Sequence, residues 1–222
     1  MKKPLFVASA LVLAAFGASP AFAQAAEGNW MMRVRAVHID TANESDAIPG
    51  VLPADAIHVS NKTIPEVDFT YFLTPNIAAE LILTVPQKHD VSIPALGGKV
   101  GTFKHLPPVL SVQYHFAPTA TVRPYLGAGV NFTRIMSVDL GTADAVTQTL
   151  GGGNTGTNNL DRTSVGLSLQ AGLDFKVGQN AFINIDVKKV KLRTDLENSA
   201  LGHLAKVKVD PLLVGVGFGF KF

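Results

Sequence analysis

Apolar and polar residues alternate with a period of two through most of the chain. In residues 164–175 six apolar side chains share one face, and small or polar side chains share the other. This alternation is typical of a β-strand whose two faces meet different surroundings. The same pattern predicts seven further strands, at 30–39, 66–73, 78–85, 105–116, 124–133, 181–192 and 212–222. In 181–192 the alternation is expected to be lost at Lys188 and Lys189. The chain is therefore predicted to be an all-β protein with eight strands.

The connections between these strands alternate in length. Segments 74–76, 117–121 and 177–180 are short, whereas 40–61, 87–100, 137–160 and 194–203 are long. Short turns at one end and long loops at the other are typical of an outer-membrane barrel. A soluble barrel with a ligand cavity would also alternate, but the second face here is mostly glycine, serine, glutamine and carboxylate. We therefore predict an eight-stranded antiparallel transmembrane β-barrel embedded in a lipid bilayer.

The first residues have the pattern of an export signal. Lys2 and Lys3 precede an apolar run at 5–18, and Ala21-Phe22-Ala23 has the small-x-small spacing of a cleavage site. A membrane anchor is the alternative, but the run is short and ends at a proline. We expect a cleaved signal peptide at 1–23, a barrel domain at 24–222, and location in the cell outer membrane of a Gram-negative bacterium.

Composition excludes several classes of protein. The mean hydropathy is +0.25 and only 16% of the residues are charged, which disfavours a disordered chain. The net charge of +2 belongs to the two lysines of the predicted signal peptide, so the mature chain is formally neutral and no nucleic-acid partner is expected. The absence of cysteine excludes disulfides, thiolate metal sites and a cysteine nucleophile.

Eight strands enclose a lumen that side chains can fill, so an open aqueous pore is not expected. Charged residues of both signs fall on or near the predicted inner face, where they can pair: Arg33, Arg35, Glu66, Asp68, Glu80, Lys104, Asp174 and Asp186. Such a network is either structural packing of the lumen or a path for protons or ions.

Prolines lie within or beside several predicted strands, on the side of the long loops. They are Pro65, Pro86, Pro107, Pro108 and Pro211. Proline cannot donate a hydrogen bond to a neighbouring strand. These residues either weaken strand pairing and leave a lateral gap in the wall, or only end strands at the rim.

Other chemistry has little support in the sequence. The six histidines lack the spacing of a metal site, and the glycine-rich segment 151–156 lacks the ending of a phosphate-binding loop. A lipid-modifying barrel enzyme could use His105, Ser111 and Glu80, but nothing in the sequence brings them together. We expect no enzymatic activity, no cofactor and no metal.

Several segments resemble the outer membrane protein W family. They are 69–81, with Phe-Thr-Tyr-Phe-Leu-Thr-Pro-Asn; 102–110, with His-Leu-Pro-Pro; 123–133, with Arg-Pro-Tyr-Leu-Gly-Ala-Gly; and 209–212 together with 219–222. The resemblance spans almost the whole mature chain. The chain departs from the family at 187–194, where an aromatic-rich stretch is replaced by a basic one containing Lys188, Lys189, Lys191 and Arg193. This basic cluster would lie at the outer rim, either against anionic lipid head groups or in solvent.

The resemblance implies a narrow hydrophobic channel that opens to the outside, is blocked toward the periplasm and releases solutes sideways. The family's proline at the wall opening corresponds to Pro86, and we place Pro107 and Pro108 in the same candidate lateral opening. Ile82 and Val109, which are apolar residues on a polar face, are the candidate channel lining.

The leading hypothesis is thus a monomeric channel for passive uptake of small hydrophobic molecules. The alternatives are a structural or surface-interaction barrel that acts through its long extracellular loops, such as 137–160, and the lipid-modifying enzyme considered above.

Overall fold

The computed structural model describes residues 28–150 and 156–222, apart from the side chains of 146–150. The predicted signal peptide at 1–23 lies outside the described residues. Within them the strands are β1 (Trp30–Asp40), β2 (Glu44–Ser45), β3 (His58–Val59), β4 (Lys62–Phe72), β5 (Ile77–Thr84), β6 (Gln87–Ile93), β7 (Gly98–Leu106), β8 (Val109–His115), β9 (Val122–Asp139), β10 (Asn158–Leu160), β11 (Thr163–Lys176), β12 (Ala181–Val190), β13 (Arg193–Asn198), β14 (Gly202–Lys208) and β15 (Leu212–Lys221). A short 3₁₀ helix spans Pro94–Leu96, and the α-helix α1 spans Gly141–Leu150.

Eight long strands close into an antiparallel barrel. Their order is β11-β12-β15-β1-β4-β5-β8-β9, and pairing between β9 and β11 closes the circle. The prediction of an eight-stranded antiparallel barrel is confirmed. Closure gives each strand of the barrel a partner on both sides, which removes exposed edges.

The barrel wall has apolar side chains on its outer face and charged side chains on its inner face, the reverse of a water-soluble protein. Val165, Leu167 and Leu169 on the outer face of β11 are 65–67% exposed, whereas Arg33 and Arg35 on the inner face of β1 are 0% and 2% exposed. An outward apolar band with a polar interior is what a lipid-embedded barrel requires. In the described part of the chain, no helix has the length and apolar character needed to cross a membrane.

Aromatic side chains mark the short-turn end of the barrel. Trp30 and Tyr71 are cross-strand neighbours with ring centroids 4.9 Å apart, and Tyr114 packs edge-on against Phe116 at 5.0 Å. All four lie next to the short turns. This is the position of an interfacial girdle, because amphipathic rings favour the boundary between lipid and water.

The long connections carry additional strands that continue the barrel beyond its outward apolar band. We call this region the extension, and its strands are β2, β3, β6, β7, β10, β13 and β14. The hairpin β6–β7 pairs with β3 on one side and with the end of β9 on the other, and β10, β13, β14 and β2 form a second sheet. The connections 87–100 and 194–203, predicted as long loops, therefore contain paired strands. These segments form sheets because they enclose a common apolar core with Ile135, Leu160 and Val207.

Two predicted strands differ in detail from those observed. The predicted strand 105–116 is two strands, β7 and β8, separated by Pro107 and Pro108, because consecutive prolines supply no backbone donor. In β12 the inward–outward alternation continues through Lys188 and Lys189, with Lys188 inside, so the expected loss of alternation there was wrong.

Candidate functional site

Arg33 lies at the centre of a polar layer that crosses the barrel lumen. Its guanidinium donates to both carboxylate oxygens of Asp174, over 3.1 and 2.7 Å, and also reaches Thr70 Oγ1 at 2.7 Å and Glu80 Oε1 at 3.2 Å. All of these side chains are buried. Because β4, β5 and β11 each contribute one partner, this arginine on β1 joins strands from around the barrel.

Arg35 binds a second set of carboxylates nearer the long-loop end. It forms ion pairs with Asp68, with Glu66 at 3.2 Å, with Glu80 at 3.3 Å and with Asp186 at 3.3 Å. Lys188 continues the layer, since its ammonium lies 3.1 Å from Glu66 Oε1. Three cations thus neutralise most of the charge of five buried carboxylates, as burial of charge requires.

Small residues on facing strands make room for these large side chains. A Cβ on Gly219 would lie 3.2 Å from Arg33 Cγ, and a Cβ on Gly172 would overlap the Tyr125 ring. The freed space lets Tyr125 donate from its hydroxyl to Asp186 Oδ2 over 2.8 Å. The glycines on the inner face therefore leave the space that the large side chains of the charged layer occupy.

The expected inner-face charges are almost all in this layer. Arg33, Arg35, Glu66, Asp68, Glu80, Asp174 and Asp186 are buried, whereas Lys104 is exposed. Lys104 faces outward because its neighbours Phe103 and His105 occupy the inner face of β7. The buried, paired side chains of the charged layer fill the cross-section of the lumen at this level.

A narrow apolar cavity of about 40 Å³ lies directly above the charged layer. Its floor includes the paired side chains of Glu66 and Lys188, and its other polar lining residues are Thr84, Gln87 and His105. The remaining lining is apolar: Ile39, Ile64, Ile82, Pro107, Val109, Val190, Leu192, Val209, Pro211 and Leu213.

A second apolar cavity of about 40 Å³ lies further from the charged layer. It lies among the extension strands, and its lining includes Val59, Phe103, Leu160 and Val207. Val209 lines both cavities. Both spaces are lined mainly by apolar side chains and lie between the charged layer and the long-loop end.

The wall beside the lower cavity contains a seam without strand pairing. β4 pairs with β5 only as far as Glu66 opposite Thr84, and β6 begins at Gln87. Among the described residues, the contacts across the seam come from side chains: Lys62 Nζ donates to Lys88 O over 2.8 Å, and Thr84 Oγ1 donates to Pro65 O over 3.2 Å. This seam separates 62–65 from 85–88 and lies level with the cavity.

The sequence-predicted site residues lie around this cavity and seam. Ile82 and Val109 are cross-strand partners, are 2% and 4% exposed, and line the cavity. Pro86 lies exposed in the seam between β5 and β6. Pro107 and Pro108 join β7 to β8, and Pro107 lines the cavity. Sequence reasoning missed Gln87, Leu192 and Val209, which fall in segments that were expected to be loops or strand ends.

Two histidines stack in the wall of the extension. The rings of His89 and His105 are 4.9 Å apart and nearly parallel, and Phe103 packs against both. Burial lowers the pKa of His89, and burial together with the nearby His89 lowers the pKa of His105 to about 3. Both rings are therefore neutral at pH 7.

This arrangement predicts that acid destabilises the extension. A folded-state pKa below that of the unfolded chain means that unfolding takes up a proton between about pH 6.5 and 3, so stability falls with pH in that window. At pH 5 the His105 contribution is a loss of roughly 2 kcal/mol. Urea unfolding in vesicles at pH 7 and pH 5 measures this loss. Between these two pH values, the free energy of unfolding should fall less in His105→Leu than in the unaltered protein. His38→Leu, at an exposed position on β1, is the control, and its free energy of unfolding should fall between pH 7 and pH 5 by the same amount as in the unaltered protein. Equal pH dependence in His105→Leu and the unaltered protein would contradict the assignment.

The candidate hydrolase residues do not form one group. Ser111 Oγ lies 3.4 Å from Glu80 Oε2 within the charged layer, whereas His105 belongs to the stacked pair above it. In the described ranges 28–150 and 156–222, no three potential metal ligands cluster together.

The basic segment is divided between the lumen and the surface. Lys188, which was expected at the outer rim, is buried in the charged layer because β12 keeps its alternation. Lys189, Lys191 and Arg193 are exposed, and Arg193 forms an ion pair with Asp210 at 2.9 Å.

Comparisons with known proteins agree on one family. The OmpW family model matches residues 26–222. An uncharacterised outer-membrane protein, y4mB of Sinorhizobium fredii, is 37% identical over 92% of this chain and 87% of its own length. Outer membrane protein W of Salmonella typhimurium is 30% identical over the full length of both chains. PahQ of Pseudomonas aeruginosa, a dibenzothiophene metabolism operon protein, is 27% identical over 92% of this chain and 93% of its own.

A solved structure has the same architecture. The outer membrane protein OprG from Pseudomonas aeruginosa superposes with a TM-score of 0.74 at 27% identity, covering 88% of this chain and 96% of OprG. None of the proteins named here carries an enzyme name.

Proposed function

The chain belongs to the OmpW family of Gram-negative outer-membrane proteins, and from this premise we propose that it takes up small hydrophobic molecules passively. Solutes enter the apolar path at the long-loop end, stop above the charged layer and leave through the seam into the membrane. The observation that carries the proposal is an apolar cavity that ends on a closed ionic floor and adjoins a seam in the wall. The whole path lies within one chain, so uptake needs no second copy.

The charged layer favours a sideways exit over passage straight through. A solute moving toward the periplasm would separate the ion pairs of Arg33 and Arg35, and breaking a buried pair costs about 3–5 kcal/mol. Parting the seam instead breaks two hydrogen bonds at exposed sites, from Lys62 Nζ to Lys88 O and from Thr84 Oγ1 to Pro65 O. Each such bond contributes only about 0.5–1.5 kcal/mol.

The path selects solutes by desolvation. Apolar surface gains roughly 25 cal/mol per Å² when it leaves water, whereas a charged group entering the path would lose its hydration without a partner. The name of PahQ supports the same class of solute, since dibenzothiophene is a small uncharged aromatic molecule. We infer that the solutes are small, uncharged and mostly apolar.

Transport by the purified barrel in liposomes tests the proposal. We expect an apolar solute to equilibrate faster than in protein-free liposomes, and a charged solute of similar size to show no increase. Equal stimulation of both solutes would indicate a water-filled pore, and stimulation of neither would favour a surface-interaction role; either result contradicts the proposal.

A second arm of this experiment tests the exit. The chain has no cysteine, so Lys62→Cys with Lys88→Cys introduces one pair across the seam for a short bismaleimide. Cross-linking should stop uptake of the apolar solute. The matched control pair is Asp90→Cys with Lys99→Cys, whose native side chains form an ion pair at 2.8 Å within the β6–β7 hairpin. If uptake survives a complete cross-link across the seam, the exit lies elsewhere.

A further inference from the structure

Two buried polar side chains of the lower cavity each leave one atom without a hydrogen-bond partner. Gln87 at the start of β6 and His105 near the end of β7 are direct cross-strand neighbours, and both line the cavity. They are 2% and 4% exposed. Gln87 Oε1 and His105 Nδ1 have no partner within the described structure. Buried polar atoms are nearly always satisfied, so this pair requires an explanation.

The surroundings fix what each group can offer. The amide nitrogen of Gln87 donates to Thr84 Oγ1 over 3.1 Å, which leaves its oxygen as a free acceptor. The His105 ring is held by stacking on His89, with centroids 4.9 Å apart, and on Phe103. Burial keeps this imidazole neutral, so it carries one N–H donor and one acceptor nitrogen. These two cross-strand neighbours can therefore offer the cavity an acceptor, Gln87 Oε1, and, in the tautomer protonated at Nδ1, a donor from His105.

We propose that Gln87 and His105 form a polar subsite that binds a hydroxyl group on the transported molecule. A hydroxyl can donate to Gln87 Oε1 and accept from the imidazole N–H at the same time. A carbonyl or ether oxygen can only accept, and a hydrocarbon does neither. The preferred solutes are accordingly small hydrophobic alcohols and phenols, an assignment that rests on the proposed uptake function.

The rest of the cavity lining matches the hydrocarbon part of such a molecule in chemistry. Ile82, Val109 and Leu213 offer only apolar contacts. The charged floor does not compete for the hydroxyl, because Glu66 is bound by Arg35 and Lys188. Gln87 also begins the strand that borders the seam, so a solute held there waits beside the exit.

Binding of phenol, toluene and benzaldehyde to the barrel in nanodiscs tests this subsite. Phenol and toluene differ only by a hydroxyl in place of a methyl group, and benzaldehyde offers an acceptor alone. NMR shifts of the Gln87 side-chain amide and the His105 ring report occupancy, with concentrations corrected for partition into lipid. Phenol should bind roughly tenfold more tightly than toluene, with benzaldehyde closer to toluene.

Two variants and one control complete the experiment. Gln87→Leu and His105→Leu should each reduce the phenol preference over toluene to about twofold. Two variants guard against one that fails to fold, and heat-modifiable migration on gels reports folding. Lys88→Leu, which changes the exposed neighbour of Gln87, should keep the full preference.

The possible results separate the subsite from the uptake function. If the unaltered barrel transports toluene but binds phenol no better, the subsite is wrong and the uptake proposal stands. If benzaldehyde matches phenol, the hydroxyl assignment is wrong. If phenol shifts both side chains with the expected preference while no apolar solute is transported, the subsite stands and the uptake proposal fails.

Discussion

Replacing Arg33 with methionine is expected to lower the free energy of unfolding by about 3–5 kcal/mol. The substitution leaves Asp174 and Glu80 without the cation that lies 2.7 and 3.2 Å away. Both carboxylates are buried, so water cannot replace the lost partner without disrupting the layer. Methionine keeps much of the aliphatic stem, and the loss therefore reports charge pairing more than cavity formation. Urea unfolding of the barrel in lipid vesicles, followed by heat-modifiable migration, measures it.

The matched control is Arg193→Met at the surface. Arg193 also forms an ion pair with one carboxylate, that of Asp210 at 2.9 Å, but its side chain is 41% exposed. Exposed pairs contribute about 0–1 kcal/mol, so this variant should unfold nearly as the unaltered protein does. Adding Asp174→Asn to Arg33→Met should recover part of the lost stability because it removes one uncompensated charge. Similar losses for the Arg33 and Arg193 variants would show that the lumen is well hydrated.

The barrel itself could be predicted because lipid and lumen impose different residues on alternate positions. In β11, Val165, Leu167 and Leu169 face outward while Ser168 and Gln170 face inward, and this contrast is visible in the sequence alone. The extension could not be predicted in the same way. Its strands β2, β3 and β10 have two or three residues, too few for a period to appear. Their pairing depends on partners far away in the chain, such as β10 with β13.

Residues of the candidate site could be predicted from the sequence only where they interrupted the alternation of apolar and polar residues along a strand. Ile82 and Val109 stood out because each is an apolar residue on an otherwise polar face. Leu192 and Val209 complete the same cavity from segments at strand ends, where no alternation marks them. The facing of Gln87 and His105 depends on the register of the β6–β7 hairpin, which is set by tertiary pairing.

Replacing Ile82 with tryptophan is expected to lower the rate of apolar solute uptake by roughly tenfold or more. Ile82 is buried, pairs with Val109 across β5 and β8, and lines a cavity of only about 40 Å³ directly above the charged layer. An indole at this position fills the space in which a solute must pause before it reaches the seam. Overfilling a packed interior costs about 1–3 kcal/mol, so the strain is small enough for the barrel to fold. The initial rate of toluene uptake by liposomes is the measurement.

Leu83→Trp is the matched control because it introduces the same side chain one residue away on the opposite face. Leu83 is 40% exposed toward lipid, where tryptophan meets no wall of the cavity. Since adjacent residues of a strand point to opposite faces, the two variants share strand, depth and composition and differ in the side of the wall they occupy. Uptake should therefore fall in Ile82→Trp and persist in Leu83→Trp. If Ile82→Trp folds and takes up toluene at the unaltered rate, the apolar solute does not pass through this cavity, and the route lies outside the lumen.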